Sequence, residues 1–201
     1  MIRRVWFSLS VCFLALLALS QTNPPRVQEQ YQATAFLQNT VPPASLQVSA
    51  PNIAALDFYV DSYTPDDEYG NLVKISQTEG SKGLEKAFDK LPQRGRVSQN
   101  KTASDSLGCS NGVKLARQVV NGPEKVVRLV MKCDINDYAR QLSGVRDFKF
   151  RVVELRVNPN GQNRGVFVSV AKISFDDQGR MQVQPFDQTT VINLGSVRQV
   201  K

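Results

Sequence analysis

The sequence predicts an α+β domain: a mainly antiparallel sheet of about six or seven strands with two short helices. Three observations carry this. Alternating β-branched and aromatic runs dominate the chain from Val113 onward. Turn signals at Asn121-Gly122-Pro123-Glu124, Asn158-Pro159-Asn160-Gly161 and Asp176-Asp177-Gln178-Gly179 separate those runs. Helical spacing occurs in two short segments, Ser81–Leu91 and the stretch after Asp134. A β-sandwich or an open barrel is the alternative arrangement.

Residues 1–20 read as a signal peptide. Arg3 and Arg4 precede an apolar run from Val5 to Leu19, and Ala18-Leu19-Ser20 offers small residues for cleavage. The run falls short of the ~20 residues of a spanning helix. The chain is expected to be exported, to the periplasm or beyond the cell, with no membrane span after cleavage. Loss of Arg3 and Arg4 lowers the net charge from +7 to +5. Residues 21–50 are rich in Gln and Pro and read as a flexible arm. Its candidate partner-binding anchors are Tyr31, Phe36 and Leu37. Residues 51–201 form a single strand-rich domain.

Ala54–Tyr63 reads as a strand with Leu56, Phe58 and Val60 on one face. Thr64–Asn71 reads as a polar loop and Leu72–Ile75 as a short strand. Ser81–Leu91 places Leu84, Phe88 and Leu91 on one helical face, and Pro92 ends it. Gln93–Ser110 reads as a long polar connection. Strands are expected at Val113–Val120, Lys125–Cys133, Asp147–Val157, Arg164–Phe175, Arg180–Phe186 and Thr189–Val200. A second helix is expected from Asp134, with Ile135, Tyr138, Ala139 and Leu142 on one face. In the strand after Asp147, Phe148, Phe150 and Val152 share one parity, whereas Val153, Leu155 and Val157 share the other. Such a switch marks a bulge or burial on both faces. Gly195 marks a further bulge or bend.

This order of helix, hairpin, helix and long strands resembles that of cone-shaped domains of the nuclear-transport-factor-2 kind, found in some periplasmic secretion-channel components. The resemblance is one of element order. It implies a cone-like α+β domain.

The chain contains no histidine. That excludes Ser-His-Asp and Cys-His catalysis and the usual histidine metal sites. No nucleophile elbow or glycine-rich phosphate loop is present. No catalytic residue, metal site or cofactor is assigned. After removal of Cys12, Cys109 and Cys133 remain, and an even count in an exported chain reads as a disulfide. Two separate buried thiols are the alternative.

Leu72–Lys132 carries twelve basic residues against five acidic ones. Lys82, Lys86 and Lys90 fall on one helix face, and Arg94, Arg96 and Lys101 extend the run. These six are the candidate anion- or partner-binding residues, with a solvated amphipathic helix as the plain alternative. Nucleic acid is excluded as a partner by export and by the lack of interleaved aromatics. Asp66, Asp67 and Glu68 lack the spacing of a calcium loop.

The expected function is that of a noncatalytic exported protein that binds other envelope or secreted proteins, as a component of an envelope or secretion assembly. The alternative is a small-molecule or lipid-binding domain with an apolar cavity lined by Phe148, Phe150, Phe167, Ile173 and Phe175. A carboxylate-based hydrolase is the second alternative.

Overall fold

Tyr-x-Ala-x-Ala in the Gln-rich segment has a period of two, and it folds as a strand. β1 (Glu29–Phe36) buries Tyr31, Ala33 and Ala35 and turns its glutamines away. The computed structural model describes residues 28–36, 53–99, 109–133 and 147–200. Part of the expected flexible arm is therefore a wall of the fold.

β1 pairs antiparallel with β2 (Ile53–Val60). After a helix, β3 (Gly95–Gln99) pairs with β2, within the stretch expected as a long polar connection. Then β4 (Cys109–Asn121), β5 (Glu124–Cys133), β6 (Phe150–Val157) and β7 (Arg164–Phe175) follow as a meander. β8 (Met181–Pro185) and β9 (Val191–Gln199) take successive lengths of the same edge of β7. β9 also pairs with β1.

These pairings close the sheet into an antiparallel barrel of eight strands, with β8 as a flap on β7. This overturns the expected mainly antiparallel sheet of six or seven strands in a cone-like domain, and of the alternatives an open barrel comes nearer. Closure depends on β1 and β3, whose glutamines, alanines and serines hide their alternation. It also depends on the pairing of β1 with β9, which links distant parts of the chain.

Among the described residues α1 (Asp66–Lys90) is the one α-helix, accompanied by a 3-10 turn at Gln188–Thr190. The expected second helix after Asp134 lies outside the described residues. α1 absorbs both the expected acidic loop and the short strand Leu72–Ile75. Asp66, Asp67 and Glu68 form its first turn, where negative charge complements the helix dipole. Gly80 interrupts it with φ 66° and ψ −158°, a backbone that favours glycine. That break hides the helix period before Ser81.

Two cores result. The barrel interior holds Tyr31, Phe58, Val60, Leu129, Val153 and Leu155. A second core lies outside the barrel, where Leu72, Leu84 and Phe88 of α1 meet Val130, Phe150, Val152 and Ile173. Full burial contributes about 1.5–3 kcal/mol for each Leu or Phe side chain. β6 serves both cores, with Phe150 and Val152 toward α1 and Val153 and Leu155 inward. The parity switch in the sequence is thus two-sided burial, accompanied by a slip against β7 between Phe150 and Val152. The bend at Gly195 coincides with a slip of β1 against β9, and Ser196 there has φ 50°.

Candidate functional site

The barrel has two unlike ends. The first is built from the start of β1, the segment after β2 and the start of β5. The phenolic oxygen of Tyr31 donates to Glu29 Oε2 at 2.5 Å, and Tyr63 Oη donates to the same oxygen. Lys125 Nζ donates to Glu29 Oε1 at 2.6 Å, and its ammonium lies 5.5 Å from the centroid of the Tyr31 ring. Burial pushes the Glu29 carboxyl up, but hydrogen bonds from Lys125, Tyr31 and Tyr63 outweigh it, so its pKa falls below the usual range. Burial and the adjoining carboxylate both push the Tyr31 and Tyr63 phenols up. An ionised glutamate beneath two neutral phenols and an ammonium therefore closes this end.

The far end is mostly apolar, apart from Arg151. Ala35, Leu56 and Met131 face inward there, with half-buried Ile192 beside them. The inward residues of β1 shrink from Tyr31 at the first end to Ala33 and Ala35 toward the second. Arg151 stands opposite Met131 in register, with its guanidinium 5.8 Å from the Phe167 ring centroid. β1, β3 and β5 finish at this end, while β2, β4 and β6 begin there. The described chain consequently leaves and re-enters the barrel at this end three times.

The six candidate basic residues do not form one ridge. Lys82 borders a cleft of about 150 Å³ together with Ser81, Glu85, Asp147, Lys149, Phe150 and Lys172. Lys86 and Lys90 border a different groove along α1. Arg94 is buried. It donates to both carboxylate oxygens of Glu68 at 2.9 and 2.8 Å, to Ser62 Oγ at 3.2 Å and to the Tyr63 carbonyl at 3.3 Å. Its role is to tie the first turn of α1 to the barrel, which corrects its reading as a surface anion ligand. Arg96 is exposed and stacks 4.1 Å from the centroid of the Tyr59 ring.

The candidate arm anchors separate as well. Tyr31 is wholly buried in the barrel, so it is not available to a partner. Phe36 remains 47% exposed at the end of β1. Lys101 and Leu37 lie outside the described residues.

Cys109 and Cys133 stand directly opposite one another in the β4–β5 register. The five residues expected to line one cavity divide between regions. Phe167 is in the barrel, and Phe150, Ile173 and Phe175 lie beneath α1. Phe148 meets Phe186 edge-on at 5.3 Å. Asp66 binds Arg117 at 2.6 Å and Glu68 binds Arg94, so two of the three acids in the run are engaged in ion pairs. Among the described residues no cluster of acids or cysteines is arranged to hold a metal ion.

Glu29, Tyr63, Lys125, Lys149, Arg151 and Lys172 escape a reading of the sequence. Their neighbours are remote in the chain, and no local spacing marks them. Comparison with known protein families, with characterised proteins and with solved structures returns no match to this chain.

Proposed function

We propose that this is a noncatalytic exported binding protein whose barrel takes an apolar or amphipathic small molecule at the end opposite Glu29. The single observation behind this reading is the asymmetry of the closed barrel. One end is closed by the Glu29–Tyr31–Tyr63–Lys125 network, while the other is lined by Ala35, Leu56 and Met131. Eight-stranded barrels are just wide enough to be filled by side chains or to hold one small ligand. Small inward residues toward one end favour the latter there. The apolar run Val5–Leu19 supports export, and the opposition of Cys109 and Cys133 in the β4–β5 register supports a disulfide.

The test is native mass spectrometry of protein from its own cells, with titration of the purified protein by the neutral dye Nile red. A co-purifying small molecule is expected, together with saturable dye binding lost in Ala35→Phe, a variant whose fold is checked by circular dichroism. A bare protein mass and unsaturable dye uptake would overturn the reading.

A second reading, docking onto an envelope protein, draws on the β4–β5 hairpin, where Val119 and Val120 are 57% and 62% exposed. Crosslinking in native cells tests it. Val119→Lys/Val120→Lys should abolish capture of a defined envelope protein, and unchanged capture would remove this reading.

A further inference from the structure

We infer that the cleft between the second half of α1 and the ends of β6 and β7 is an anion site for a phosphate-bearing group. This goes beyond the barrel ligand and is spatially separate from the barrel interior. Three elements supply its cations: Lys82 from α1, Lys149 from the segment entering β6, and Lys172 from β7. The cleft holds about 150 Å³, the scale of a small polar group, and buried Phe150 forms part of its wall. Ser81 adds a hydroxyl donor at its rim.

The carboxylates nearby do not cancel this field. Glu85 accepts from Lys149 at 2.5 Å and also faces Lys132 at 3.8 Å, so two cations share it. Asp89 takes Lys132 as well. Asp147 lies at the exposed rim. Among the described residues Lys82 and Lys172 have no carboxylate within ion-pairing distance, although both border the cleft. Lysines arriving from three directions act as point charges and suit a compact tetrahedral phosphate anion. A planar carboxylate is better matched by the fork of an arginine. The chemistry is that of a phosphate monoester or of a phospholipid headgroup.

The probes are glycerol 3-phosphate, followed by isothermal calorimetry, and phosphatidylcholine vesicles with and without phosphatidylglycerol, followed by co-sedimentation. Lys82→Gln and Lys172→Gln are each expected to weaken binding about tenfold, equivalent to about 1.4 kcal/mol. Lys90→Gln, in the other groove of α1, should leave it unchanged. Affinity should fall as salt rises. Saturable binding of glycerol 3-phosphate supports a soluble monoester. Binding confined to phosphatidylglycerol vesicles, and lost in the same two variants, supports the headgroup. No binding in either arm, or equal loss in Lys90→Gln, overturns the site. None of these lysines lines the barrel interior, so Nile red titration should be unaffected by them and failure here is distinguishable from failure of the barrel reading.

Discussion

Glu29→Gln tests whether the polar end of the barrel is held by charge. In the parent protein one carboxylate accepts from Lys125 at 2.6 Å, from Tyr31 at 2.5 Å and from Tyr63. The Glu29 and Lys125 side chains are each 19% exposed. The substitution keeps one carbonyl acceptor, removes the charge and strands the Lys125 ammonium. Breaking a fully buried pair costs about 3–5 kcal/mol. This pair sits at the rim with some access to water, so about 2 kcal/mol is expected. At about 2–4 °C per kcal/mol for a chain of this size, Tm falls by about 4–8 °C. A double-mutant cycle with Lys125→Met should return a coupling of about 1–2 kcal/mol. The pH dependence has a definite sign. Glu29 has a folded-state pKa below its unfolded value, so its stabilisation is complete above the ordinary glutamate range. It is lost as pH falls through the lower, folded value. Glu29→Gln should flatten that part of the acid limb. A loss under about 0.5 kcal/mol, with the acid limb unchanged, would refute the reasoning.

Four further outcomes are expected. Gly95→Ala should cost about 2–3 kcal/mol in urea unfolding, because its Cβ would fall 2.1 Å from the Tyr59 carbonyl oxygen. Gly70→Ala should instead add about 0.5–1 kcal/mol, since nothing lies within 4 Å of a Cβ in that part of α1. Alkylation of the protein under non-reducing denaturing conditions should leave Cys109 and Cys133 unmodified, and reduction should cost at most about 3 kcal/mol. Alkylation of both Cys109 and Cys133 would show that the facing pair is not bridged. In native-state hydrogen exchange, amides in the middle of β5 and β6 should be slowest and those beside the β1–β9 slip fastest. Equal protection in both regions would contradict the two-core account.

The hairpins β4–β5 and β6–β7 were legible because branched residues alternate on either side of a strong turn. Closure of the barrel was not, and the reason lies in its two least apolar strands. β1 offers Tyr31, Ala33 and Ala35 among glutamines, and β3 offers Val97 between Arg96 and Ser98. Alternation exists in both, but the contrast across it is small. Closure then rests on Gln32 and Thr34 meeting Arg198 and Gly195. No window of sequence contains that pairing. The candidate site shows the same division. Lys82 was legible as one of three lysines on a helical face, whereas Lys149 and Lys172 join it through packing alone. Arg94 looked like the continuation of a basic run, yet its partner Glu68 lies one whole helix earlier in the chain.

The insertion of α1 between β2 and β3 explains why the anion cleft and the barrel interior are separate places. A helix that leaves the barrel after Val60 and returns at Gly95 must lie on the outer surface, and its apolar face must be matched there. β6 and β7 provide the match by becoming apolar on both faces, with Phe150, Val152 and Ile173 turned toward Leu84 and Phe88. That packing fixes the side of the barrel on which the lysines converge. It leaves the inward residues of β1 and β2 to shape the interior. The Gly80 break lets one continuous segment meet this surface in two pieces. Its first piece is pinned by Glu68 to Arg94, and its second brings Ser81 and Lys82 to Lys149 and Lys172. Straightening the break would therefore move Lys82 relative to β7 without touching the barrel interior, and this geometry separates the two proposed binding functions.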